Sequence, residues 1–93
     1  MEANTYSLVA SRIIKQQEEV IGPVALEQAK KVGGLSVDNS GNVSISGDGK
    51  DVLEKLVRQY EKLFGRASIE VCKDAVRETK PAIPPKELPE ILK

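Results

Sequence analysis

Apolar residues recur along this chain with two different periods. In residues 5–21, Tyr6, Val9, Ile13, Gln17 and Val20 fall on one stripe, widened by Ala10, Ile14 and Ile21. That spacing predicts a helix with one buried face. Asn4 stands where an N-cap would, with a side chain able to accept from a free backbone N–H. Gly22-Pro23 breaks the pattern. Glycine suits the residue just past a helix end, and proline suits the first turn of the next helix. Residues 24–32 predict a second, short helix with Ala25, Ala29 and Val32 on one side. Lys30 and Lys31 fall in its last turn, where cations complement the helix dipole. Gly33-Gly34 ends it.

The period then changes to two. Leu35 and Val37 alternate with Ser36 and Asp38, and Val43 and Ile45 alternate with Ser44 and Ser46. Asn39-Ser40-Gly41-Asn42 between them is a run of turn formers, so residues 35–46 predict a β-hairpin with Gly41 as its positive-φ residue. Asp48 is placed to cap a third helix, with Asp51 three residues on as a weak capping box. Val52, Leu53, Leu56, Val57, Tyr60, Leu63 and Phe64 form the strongest amphipathic stripe in the chain. Asp51 with Lys55 and Glu54 with Arg58 add i,i+4 pairs. Gly65 interrupts the stripe. Residues 66–79 resume it with Ile69, Cys72, Ala75 and Val76, and Pro81 stops it. The predicted fold is therefore mainly α with one β-hairpin (α+β): two helix–bend–helix halves flanking a hairpin. Residues 1–80 form a single helical domain. Residues 81–93 form a proline-rich C-terminal tail, extended at first, with an amphipathic turn around Leu88, Ile91 and Leu92.

The halves resemble each other at an offset of 43 residues. Residues 13–22 match 56–65, and identities fall at Gln16/Gln59, Glu18/Glu61, Gly22/Gly65, Glu27/Glu70 and Lys30/Lys73. Amphipathic helices resemble one another by chance, so coincidence competes with a true repeat. The glycines favour the repeat, because a glycine at each break implies the same bend twice. A repeat would make the halves pack with pseudo-two-fold symmetry. Ile21-Gly22-Pro23-Val24-Ala25 after an amphipathic helix resembles the small helical domain of unknown function found in some cyanobacterial and other bacterial regulatory proteins. In the second half Arg66 replaces the proline. The resemblance implies an accessory interaction or regulatory module and supplies no catalytic residues.

Composition narrows the chemistry. The 93 residues carry 14 basic and 14 acidic side chains. This balance leaves no electrostatic footprint for nucleic acid or an anionic membrane. There is no histidine, which excludes Ser–His and Cys–His nucleophiles; a Ser–Lys pair is open by composition, but no particular pair is marked. Cys72 is the only cysteine and sits at a core position of its helix, where it reads as a small buried apolar residue. One unpaired thiol agrees with a reducing compartment, and no apolar run approaches the length of a membrane span. No leader pattern is visible. A cytoplasmic location is expected, without cofactor, metal or membrane.

Two loops invite ligand readings. Asp38, Asn39, Asn42 and Asp48 have calcium-ligand chemistry, but Gly41 falls at position four from Asp38 rather than six. Ser46-Gly47-Asp48-Gly49-Lys50 lacks the first glycine and the final hydroxyl of a phosphate loop. A hairpin turn and a capped helix start account for them better. Glu18-Glu19 belongs to a solvated helix face.

The expected function is a non-enzymatic protein–protein interaction or regulatory module, forming a homodimer or binding another protein. Leu8, Ile14, Val24, Leu26 and Val71 lie beside or off the main stripes, more apolar surface than a short chain readily hides. The hairpin edges carry no charge to blunt them, so Leu35, Val37, Val43 and Ile45 are the expected interface, two hairpins meeting in a four-stranded sheet. The competing arrangement is a monomer whose tail covers the leftover surface through Ile83, Leu88, Ile91 and Leu92. The alternative function is nucleic-acid binding by Lys50, Lys55, Arg58, Lys62, Arg66 and Lys73, against which the interleaved Asp51, Glu54, Glu61 and Glu70 argue.

Overall fold

The computed structural model describes residues 3–38, 42–78 and 88–92. Helix α1 (Ala3–Ile21) is followed by α2 (Val24–Ala29), strands β1 (Leu35–Val37) and β2 (Val43–Ile45), α3 (Gly49–Phe64), α4 (Ala67–Glu78) and a 3-10 turn at Glu90–Leu92. The fold is mainly helical with one antiparallel hairpin, as the two periods predict. The hairpin register pairs Leu35 with Ile45, Ser36 with Ser44 and Val37 with Val43. Gly41 and Ile83 lie outside the described residues, as do Asn39, Ser40 and Pro81.

Local chemistry sets most boundaries. The Asp48 carboxylate accepts from the backbone N–H of Lys50 at 3.0 Å and of Asp51 at 3.5 Å, so it caps α3. The Asp51 carboxylate is engaged by Lys55 at 3.1 Å, and Glu54 pairs with Arg58 at 3.5 Å. Asp38 closes the hairpin by accepting from Asn42 through its backbone N–H at 2.9 Å and its side-chain amide at 3.2 Å. Two boundaries differ from expectation. Helix α1 already includes Ala3, so Asn4 is a helical residue and not its cap. Helix α2 ends at Ala29 rather than Val32. Lys31 and Val32 instead bond back three residues, to the Gln28 and Ala29 carbonyls, because the chain tightens before it turns into β1.

The two halves are built alike. Gly22 and Gly65 both hold positive φ, +77° and +85°, a conformation that favours glycine. The Gly22 N–H donates to the Glu18 carbonyl at 2.9 Å, and the Gly65 N–H to the Glu61 carbonyl at 2.8 Å. Past each bend, Ala25 bonds to Gly22 and Leu26 to Pro23, as Ser68 bonds to Gly65 and Ile69 to Arg66. Every one of these pairs is related by the 43-residue offset.

The core is aliphatic and shares the same correspondence. Val9, Ala10, Ile13 and Ile14 are buried on α1, and Val52, Leu53, Leu56 and Val57 at the matched positions of α3. Ala25 and Ala29 on α2 correspond to Ser68 and Cys72 on α4, all buried. Ile14 and Leu26, which lie beside the main stripes, pack in or against this core. At the other end of the chain, Leu88 and Leu92 are buried and Ile91 packs on the core, next to α3 and α4.

Tyr6 packs on Gly49, its own counterpart in the other half, as happens beside a two-fold axis. A Cβ at Gly49 would overlap the Tyr6 ring. Relieving that overlap must move an aromatic ring wedged between helices, which outweighs the helix-propensity gain of alanine. Gly49→Ala is expected to lower stability by about 1–3 kcal/mol in urea unfolding. A neutral or stabilising result would contradict this packing.

Candidate functional site

The hairpin residues expected to form an interface face their own helices. Leu35 is buried, and Val37, Val43 and Ile45 are half-buried against the core, with β2 lying on α1. The outward side is Ser36 and Ser44, both exposed. Any contact between hairpins would therefore be made by strand edges and not by these four side chains.

The two bends are organised by a pair of crossed hydrogen bonds. The Gln17 side-chain amide on α1 donates to the Ser68 carbonyl on α4 at 3.0 Å. The Tyr60 hydroxyl on α3 donates to the Ala25 carbonyl on α2 at 2.8 Å. Gln17 and Tyr60 are matched positions, and so are Ser68 and Ala25. Each long helix thus reaches the first turn of the other half's short helix, using the second lone pair that a helical carbonyl retains. Gln16 and Gln59 cross in the same sense on the surface, to Glu78 at 2.6 Å and to Gln28 at 2.8 Å. Among the described residues, every buried side-chain nitrogen or oxygen has a partner.

These bonds bring the C-terminal ends of α1 and α3 to one end of the molecule. That end carries all four large hydrophobic side chains that are exposed among the described residues: Val20 at 63%, Val24 at 39%, Leu63 at 47% and Phe64 at 38%. Val20, Leu63 and Phe64 belong to stripes that predict burial. They emerge because each short helix turns back at its glycine and covers the long helices only as far as Gln17 and Tyr60. Val20, Leu63 and Phe64 in the last turns project beyond the packed layer, while Ile21 still packs against the core. Periodicity alone does not reveal this; the matched glycines mark where the cover ends.

The charged residues are sorted by the same geometry. Lys55, Arg58 and Lys62 join Lys31 along a groove of about 300 Å³ beside α3. Arg66 and Lys73 line a separate groove of about 510 Å³ with Glu70, Ile69 and Ile91. The cations of α3 and α4 thus line two different grooves. Asp38 and Asp48 are occupied in turn closure and capping, as the hairpin and helix-start readings expect.

Cys72 is fully buried, and the Gln17 amide reaches its sulfur at 3.4 Å. Burial pushes the thiol up to about 11 from an ordinary 9.0, only partly opposed by that hydrogen bond. Burial likewise raises the Tyr60 phenol, with the nearby Cys72 and Glu18 charges adding to it. A protonated buried thiol is a poor nucleophile. No group of three His, Cys, Asp or Glu side chains able to hold a metal occurs among the described residues, and none of their helices is long and apolar enough to cross a membrane.

Comparison with protein-family profiles, curated proteins and solved structures finds no match to this chain.

Both raised acids make stability fall at alkaline pH. The folded protein keeps protons that the unfolded chain releases, so stability is full below the unfolded thiol value and is lost as pH rises towards 11. For Cys72 the loss is about 2 kcal/mol by about pH 10.5. Urea unfolding at about pH 7.5 and about pH 10.5 should show it in the wild type and a smaller pH dependence in Cys72→Ala. Equal pH dependence in both would contradict the assignment.

Proposed function

We propose that this chain is a non-enzymatic interaction module that works as a homodimer, joined through the end formed by its two bends. The observation that carries this reading is the set of exposed large apolar side chains, Val20, Val24, Leu63 and Phe64, which flank the two bends. Apolar side chains grouped at one place mark contact sites more often than scattered ones do. The second copy is the favoured occupant for two reasons. Val20 and Leu63 are matched positions, so both bends contribute to the patch, and closed two-fold dimers require a patch that complements itself. The bends also differ in charge: Glu18 and Glu19 precede the first, whereas Glu61, Lys62 and Arg66 flank the second. A two-fold contact that sets the first bend of one copy on the second bend of the other brings these opposite charges together.

The resemblance of Ile21-Gly22-Pro23-Val24-Ala25 to small helical domains of bacterial regulatory proteins points the same way, since Val24 is one of the exposed side chains. A single buried thiol suits a reducing, cytoplasmic setting.

Analytical ultracentrifugation tests the proposal. The wild type should sediment as a dimer at about 100 µM and dissociate on dilution, as mass action requires. Val20→Ser combined with Leu63→Ser should give a monomer at both concentrations with an unchanged helical circular dichroism spectrum, because both positions are exposed. A wild-type monomer at about 100 µM would overturn the proposal. So would a double variant that dimerises as well as the wild type.

A further inference from the structure

The near-symmetry of the two halves supplies an internal control for the surface charge. The groove beside α3 is lined by Lys31, Lys55, Arg58, Lys62, Val32 and Gln59, with Gly33 at its edge. Four cations line it and no carboxylate does. At the matched positions of the other half stand Asp74, Arg12, Lys15 and Glu19. Those four positions hold two carboxylates and two cations, Asp74 pairs with Arg77, and Gln16 is bonded to Glu78. The α3 cations and their α1 counterparts occupy matched turns of the two long helices, whereas Lys31 lies in the turn after α2 and Asp74 within α4. On the long helices, where the scaffold is matched, packing and helix formation do not account for three cations on α3 against Arg12, Lys15 and Glu19 on α1.

Like charges crowded together repel, and a soluble surface ordinarily intersperses them. Asp51 and Glu54 soften the repulsion by pairing with Lys55 and Arg58, but they stand outside the groove lining, and the pairs are exposed and weak. Lys31 and Lys62 have no carboxylate partner among the described residues. A shallow groove whose four cations include two without a carboxylate partner among the described residues, and two weakly held, is poised for an anion of several charges.

We infer that this groove binds the di- or triphosphate group of a small molecule. The groove, about 300 Å³, is shallow and open to solvent, which suits a compact, highly charged group held by surrounding cations. Lys31 comes from the turn after α2, and Lys55, Arg58 and Lys62 from successive turns of α3, so the cations approach the groove from two sides. Arg58 can present a fork to two phosphate oxygens, and the lysines act as point charges. No aromatic side chain lines the groove. Tyr6 and Tyr60 are buried in the core and Phe64 lies at the bend, so the groove offers no platform for the stacked bases of a single strand. The groove lining contains none of Val20, Val24, Leu63 and Phe64, although Lys62 immediately precedes Leu63.

Isothermal titration calorimetry with inorganic tripolyphosphate, on the full chain, tests the site. Binding is expected in about 50 mM KCl and should weaken at about 200 mM, as screening requires. Lys31→Gln with Lys62→Gln should weaken it at least about tenfold, since both substitutions leave the fold intact at exposed positions. Arg12→Gln with Lys15→Gln, on the matched balanced face, should leave it unchanged. Absence of binding up to about 1 mM tripolyphosphate would overturn the inference. Equal weakening by the two double variants would overturn it by reducing the effect to net charge. Tighter binding to a single-stranded oligonucleotide or to anionic phospholipid vesicles than to tripolyphosphate would also overturn it, by making the ligand a macromolecular polyanion or a membrane surface.

Discussion

Two buried donors, the Gln17 amide and the Tyr60 hydroxyl, must each find an acceptor in the other half of the chain. A buried donor left without a partner costs about 1–3 kcal/mol, so the halves have one satisfactory way to dock. That requirement places α4 over the end of α1 and α2 over the end of α3. It then decides where the glycine bends lie, how far the short helices cover the long ones, and which apolar side chains are left outside. The Tyr6–Gly49 contact fixes the opposite end, where a ring fills the space of a missing Cβ. Between these two anchors the aliphatic residues fill the interior by ordinary apolar burial.

Much of this was legible in the chain because local chemistry decides it. The Asp48 cap, the hairpin over residues 35–46 and the bends at Gly22 and Gly65 follow from residue types whose preferences need no distant partner. The repeat was also visible, although matched glycines alone do not distinguish a tandem arrangement from a two-fold one. What distinguishes them is reciprocity, Gln17 to Ser68 and Tyr60 to Ala25. That depends on tertiary packing and on two side chains of different chemistry playing the same role. A search for identical residues passes over Gln17/Tyr60 because the residues differ.

The candidate surfaces were harder to read. Alternation showed which side of the hairpin is apolar, and Leu35, Val37, Val43 and Ile45 proved to pack on the chain's own helices. Val20, Leu63 and Phe64 continue stripes that are buried elsewhere, so their exposure depends on the end of the covering helix and not on their spacing. The groove cations are far apart in sequence, Lys31 in one half and Lys62 in the other, and only the fold brings them together. Departures from the internal symmetry are thus the most informative part of the surface. Where the halves agree, the scaffold explains the residue; where they differ in charge, it does not.

The central claim is that the halves form one cooperative unit because each is completed by the other. Native-state amide hydrogen exchange tests it most directly. The account predicts that the best-protected amides of α1 and α3 open with the same free energy, equal to that of global unfolding. One long helix exchanging through a distinctly cheaper local opening, while the other retains full protection, would contradict it.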